Sequence, residues 1–112
     1  MLGMVAMNDI QSVVDRIAEA FDPERIVLFG SHARGTATGD SDVDLLVILA
    51  FEGKPFWKSL EITNRVDPPF AVDLLARRPD DTQRRYAQGD PLIREALDQG
   101  RVLYERSGAR VD

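Results

Sequence analysis

The chain has 112 residues, with 14 Lys+Arg against 19 Asp+Glu, a formal net charge of −5, 44% hydrophobic residues and no cysteine. That length suits one domain, so 1–112 is expected to fold as a single unit with 1–7 and 107–112 flexible. Disulfides and thiolate metal sites are excluded, no apolar run approaches the roughly 20 residues that span a bilayer, and an acidic chain is a poor general binder of nucleic acid.

Asn8 or Asp9 is expected to cap a first helix, in which Ile10, Val13, Val14, Ile17, Ala18 and Phe21 recur at helical spacing. Asp22-Pro23 ends it, because the residue before proline is pushed out of helical geometry. Residues 25–29 form a short, apolar, β-branched run, read as a buried strand. Gly30-Ser31 breaks the strand, Ser31 to Arg34 begins a short helix, and 36–40 is a loop. A second strand runs from Asp42 to Leu49. Pro55 suits the first turn of a helix reaching Val66, with Trp57, Leu60 and Ile62 expected partly inward. Asp67-Pro68-Pro69 stops that helix. A third strand spans Phe70 to Ala76, and Pro79 closes the segment. Asp80 is expected to cap a short helix to Ala87, and Gly89-Asp90-Pro91 to start another from Leu92 to Gln99. Gly100 then takes the usual glycine position beyond a helix end. Val102-Leu103-Tyr104 adds a last strand or docking segment. The fold class expected is α/β (α+β), a small mixed sheet with helices packed on one side.

Two features carry chemistry. Along the second strand side chains alternate faces, so Asp42 and Asp44 point together, with Cα atoms roughly 7 Å apart. Carboxylates at that spacing can converge on one cation or share two ions about 3.5–4 Å apart. Mg²⁺ fits, since it prefers a few carboxylates together with substrate phosphates and water. Asp73 lies in the strand-like 70–75 run and joins the same face if that strand pairs beside the second. Its expected role is metal ligand or general base toward an acceptor hydroxyl, the alternative being an edge-strand aspartate facing water. Gly30 permits backbone geometry that a Cβ forbids, and Ser31 offers a hydroxyl and an N–H to an anion. A glycine-serine turn suits phosphate and the carboxylates suit a divalent metal, so together they read as a site for a metal-bound nucleoside triphosphate.

Other residues leave two readings. Arg34 contacts phosphate or pairs with Asp40; Ser41 caps the start of the strand or hydrogen-bonds a phosphate. His32, the only histidine, reads as a turn residue ahead of a catalytic base. Phe56 and Trp57 read as core or partner contacts ahead of base stacking. Arg77, Arg78, Arg84 and Arg85 read as a solvated surface, with partner docking as the second reading.

Gly30-Ser31, ten intervening residues and Asp42-Val43-Asp44 resemble the signature of the DNA polymerase β-like nucleotidyltransferase superfamily. The fuller form, Phe29 to Gly35 with Ser41 to Leu45, resembles the minimal nucleotidyltransferases of prokaryotes, over most of the chain. The resemblance implies that Gly30 and Ser31 hold the triphosphate of ATP. It implies that Asp42 and Asp44 bind two Mg²⁺ ions and that a third carboxylate on a later strand completes the site, for which Asp73 is the matching candidate. Such minimal proteins are commonly partners of a ribonuclease toxin of the higher eukaryotes and prokaryotes nucleotide-binding (HEPN) class. The implied function is an antitoxin that moves AMP from ATP onto a toxin tyrosine. A cytoplasmic hetero-oligomer follows, with no direct nucleic acid and no membrane. The rivals are a non-catalytic antitoxin that occludes the toxin, and an enzyme modifying a small molecule such as an antibiotic.

Overall fold

Ile10, Val13, Val14 and Ile17 fall on one stripe and are all buried, which draws them into the first helix, α1 (Met7–Phe21). The structure, a computed structural model, describes residues 5–107. The expected flexibility of 1–4 and 108–112 lies outside the described residues, while Met7 itself opens α1. Ala6 holds the N-cap position in place of Asn8 or Asp9. Asp9 sits in the first turn, where a carboxylate suits the positive end of the helix.

There follow β1 (Arg25–Phe29), the short α2 (Ser31–Arg34), β2 (Val43–Ile48), α3 (Pro55–Val66) and β3 (Val72–Arg77). α4 (Pro79–Ala87), α5 (Pro91–Gln99) and β4 (Arg101–Glu105) complete the order. Two local expectations are corrected. Pro79 opens α4 at its first turn, where a missing N–H costs nothing, and the cap position falls on Arg78 in place of Asp80. Gly100 is extended, with φ −80° and ψ 176°, so it does not serve as a left-handed helix stop. Its use is close approach: a Cβ there would meet Val27 Cγ1 at 2.7 Å and Leu28 O at 2.8 Å. Gly100→Ala should force α5 off β1 and cost about 1–3 kcal/mol, read as a lower urea midpoint.

The sheet order is β3-β2-β1-β4. β1 lies antiparallel to β2 and β4, and the α3 crossover returns the chain so that β3 runs parallel to β2. Alternation along the strands makes both faces apolar. Ile26, Leu28, Val43, Leu45, Val47, Leu74 and Ala76 pack against α1 and against Ile62 and Val66 of α3. Val27, Phe29, Leu46 and Ile48 pack against Ile93 and Ala96 of α5. The mixed α/β sheet is as expected, but helices on one side only is not. Leu46 and Ile48 leave the second face apolar, and α5 covers it.

α4 contains a buried charge. Asp81, 8% exposed, accepts from Arg84 and from Arg85 Nε at 3.0 Å, and Arg85 also reaches Asp90 at 3.3 Å. These two arginines therefore clamp a carboxylate and are not simply a solvated surface. Burial pushes the Asp81 carboxyl up, but the hydrogen bonds from Arg85 and Arg84 outweigh it and hold it below its ordinary 3.8. A depressed carboxyl contributes stability that is present above 3.8 and lost as pH falls through the lower, folded value. Asp81→Asn should cost about 1 kcal/mol at neutral pH, and that difference should shrink in melts taken below about pH 4. Among the described residues no helix is long and apolar enough to cross a membrane.

Candidate functional site

Asp44 on β2 and Asp73 on β3 are register partners in parallel strands. Their side chains therefore rise from one face of the sheet, on backbones roughly 5 Å apart. Asp42 precedes the first residue of β2 and is exposed, as is Asp73, while Asp44 is half-buried. On its other side Asp44 faces Phe29 of β1, and the chain turns at the next residue.

That residue, Gly30, has φ 75° and ψ −156°, a region essentially confined to glycine. A Cβ built there would run into Asp44 Oδ2 and lie 3.1 Å from its Cγ. Glycine is thus what lets the turn lie directly against the carboxylate. Gly30 O accepts from Ala33 N and Arg34 N, both at 3.1 Å, closing α2. Ser31 opens that helix, and the amides of Ser31 and His32, in its first turn, have no acceptor within it.

The neighbouring residues tie the turn down. His32 Nε2 lies 3.3 Å from Ser41 O, linking α2 to the segment that leads into Asp42. Ser41 Oγ accepts from Thr38 N at 2.9 Å, so it shapes the loop before the strand. Within the protein, Arg34 Nη1 donates to Glu95 Oε2 of α5 at 2.6 Å. Asp40 is not its partner.

The Asp44 carboxyl is raised above its ordinary value, first by burial, then by the charges of Asp73, Asp42 and Glu95, against which His32 acts weakly. The site is therefore overloaded with negative charge. Among the described residues no three His, Cys, Asp or Glu side chains stand as a ready-made ligand set. The three carboxylates share a region without closing on one point. An all-oxygen donor set of this kind, in which Asp44 is crowded by neighbouring negative charge, fits Mg²⁺, which leaves positions for water and phosphate.

Two parts of the surroundings were not evident in the sequence. Glu95 reaches the site only because α5 crosses the second face, and no motif marks it. The other is a groove of ≈490 Å³ between α3 and β3, whose lining includes Phe56, Ser59, Leu60, Asp73, Leu75 and Arg77. Trp57 and Leu60 are 62% and 41% exposed, against the expectation that they point inward; Phe56 is 64% exposed. The inward stripe of α3 is Ser59, Ile62, Thr63 and Val66, an i, i+3, i+4, i+7 pattern that turns Trp57 and Leu60 out. That pattern was the available signal. Phe56 and Trp57 stack edge to face, with centroids 4.9 Å apart.

The family model described as a nucleotidyltransferase domain matches residues 10–103, which include every residue of this site. No curated protein matches the chain. Among solved structures, a candidate nucleotidyltransferase of Sulfolobus solfataricus superposes with a TM-score of 0.62 at 20% identity, covering 88% of this chain and 79% of its own. A toxin–antitoxin structure with AMP-PNP gives 0.57 at 20% identity, over 88% of this chain and 75% of that one. A mutant toxin–antitoxin complex, MntA-HpeT, gives 0.53 at 20% identity, over 94% and 76%. At such identities the likeness is one of fold.

Proposed function

Because the chain belongs to the nucleotidyltransferase domain family, we propose that it transfers AMP from ATP to a hydroxyl of a partner protein. The observation that carries this reading is the register of Asp44 beside Asp73, with the Gly30 turn lying against Asp44. The proposed partner is a HEPN-class toxin and the acceptor a tyrosine, which makes this chain the antitoxin of a pair. The support is that two of its fold neighbours are toxin–antitoxin structures, one of them with AMP-PNP.

In the proposed reaction Asp73 takes the proton of the acceptor hydroxyl, whose oxygen attacks the α-phosphorus of ATP. A new O–P bond forms, the bond from the α-phosphorus to the bridging oxygen breaks, and pyrophosphate leaves with the electron pair. Ser31, through its hydroxyl and amide, and the His32 amide hold the departing phosphates, with Arg34 and Ser41 at the rim. Asp42 and Asp44 with Asp73 would hold Mg²⁺, which would neutralise the charge that develops on the phosphates. Glycine at position 30 keeps the phosphate turn and the carboxylates within reach of one triphosphate.

A second reading, neutralisation by covering the partner, is favoured by the exposed Phe56, Trp57 and Leu60 on one helix. Incubation of a HEPN-class partner with this protein, ATP and Mg²⁺, followed by intact mass, separates the two. Gain of one or more AMP units is expected. Full neutralisation with unchanged mass would establish occlusion instead.

A further inference from the structure

β3 is an outer strand of the sheet, and its backbone groups alternate between β2 and the free edge. Ala71 O accepts from Val43 N and Arg77 O from Leu49 N, each at 3.0 Å, so the odd-numbered residues face β2. Val72, Leu74 and Ala76 therefore turn their N–H and C=O groups outward. Ala76 is already satisfied: its N–H donates to Ser59 Oγ at 2.9 Å and its carbonyl accepts from Arg77 Nη1 at 2.8 Å. The outward groups of Val72 and Leu74 have no partner among the described residues.

We propose that this edge binds the acceptor as an extended segment of the partner polypeptide, added to β3 as a fifth strand through Val72 and Leu74. The proposal rests on the transferase reading of the site and specifies how the acceptor is presented to it.

Three observations choose a peptide as the occupant. Donor and acceptor pairs repeated two residues apart match the main chain of one extended strand. The groove alongside has apolar walls in Phe56 and Leu60, suited to the alternate side chains of such a strand. The third is charge: Asp73 and Arg77 lie on one face of β3, about 13 Å apart, and Arg77 has no carboxylate partner among the described residues. That spacing asks for a hydroxyl residue opposite Asp73 and an acidic residue four positions away opposite Arg77. The other edge is less suited. Gln11 Nε2 already donates to Leu103 O at 3.2 Å, and the pairing of β4 with β1 is irregular.

The probe is a short β-prone synthetic peptide with tyrosine and glutamate four positions apart, made in both orders. Omitting ATP reads docking without chemistry. Amide exchange at Val72 and Leu74 and the emission of Trp57, the only tryptophan, report binding. Protection of both amides is expected, with affinity about tenfold better than for the same peptide bearing lysine in place of glutamate. Tyrosine-to-phenylalanine peptides should dock equally well. Val72→Pro deletes an outward donor that β2 does not use and should weaken binding about tenfold. Leu60→Glu, on the exposed wall, should weaken it without altering the backbone. Protection confined to Arg101–Glu105, no protection at millimolar peptide, or unchanged affinity in both variants overturns the proposal. Docking as described with no AMP transfer to any partner supports the edge assignment and defeats only the transferase reading.

Discussion

Asp44→Asn is expected to abolish AMP transfer while raising the melting temperature of the metal-free protein. The two effects have one cause. Asp44 is half-buried, and burial, Asp73 and Asp42 together lift its carboxyl, so its charge is held against the preference of its surroundings. A raised carboxyl binds its proton more readily in the folded state than in the unfolded one. Stability is therefore lost as pH climbs from 3.8 through the folded value, and Asn removes that loss. The thermal advantage of Asp44→Asn should be present at neutral pH and vanish in acid. With Mg²⁺ the order should reverse, because the wild-type protein, with all three carboxylates, gains more from the ion. For transfer, loss of one group that stabilises developing charge costs at least ~10²–10³-fold in kcat. Asp42→Asn should lose transfer similarly. Wild-type labelling of the partner in both variants would refute the metal-site assignment.

Gly30→Ala is expected to damage both fold and activity. The backbone at Gly30 costs any other residue about 1–3 kcal/mol. The added methyl would also meet the Asp44 side chain, which must then leave its place between β1 and β3. Urea unfolding should show a loss of about 2–4 kcal/mol when strain and displacement are combined. Transfer should fall further than stability alone explains, seen as a lower kcat under conditions where the variant remains folded. Gly35→Ala is the control. Gly35 also has positive φ, at 79°, but a Cβ there meets nothing within 4 Å. It should lose stability from strain alone and keep most of its activity.

How much was legible in the sequence varied by element. α3 begins at Pro55 and ends at Val66 as expected, because proline opens it and Asp67-Pro68-Pro69 closes it. β1 also matches end to end, between a proline-led turn and a glycine. The errors came where one residue type serves two purposes. Pro79 reads equally as the stop of a strand or the start of a helix, and tertiary packing put it in α4. Gly100 reads as a helix stop, yet what it supplies is room for Val27 and Leu28. Arg84 and Arg85 look like a surface pair because nothing local shows that Asp81 will be buried beneath them. Arg34 found Glu95, some sixty positions away, because α5 folds across the sheet.

By itself the sequence determined the turn, the strand that follows it and the alternation that sets Asp44 on the opposite side of that strand from Val43 and Leu45. Alternation is a local property of extended chain, and glycine alone tolerates the backbone at position 30. Only the tertiary structure decided that Asp73 stands level with Asp44. The register of two parallel strands is set by the crossover helix between them and by the burial of Leu74 and Ala76 with Leu45 and Val47. A slip of one residue would have turned Leu74 and Ala76 away from α1 and α3 and put Asp73 into that core.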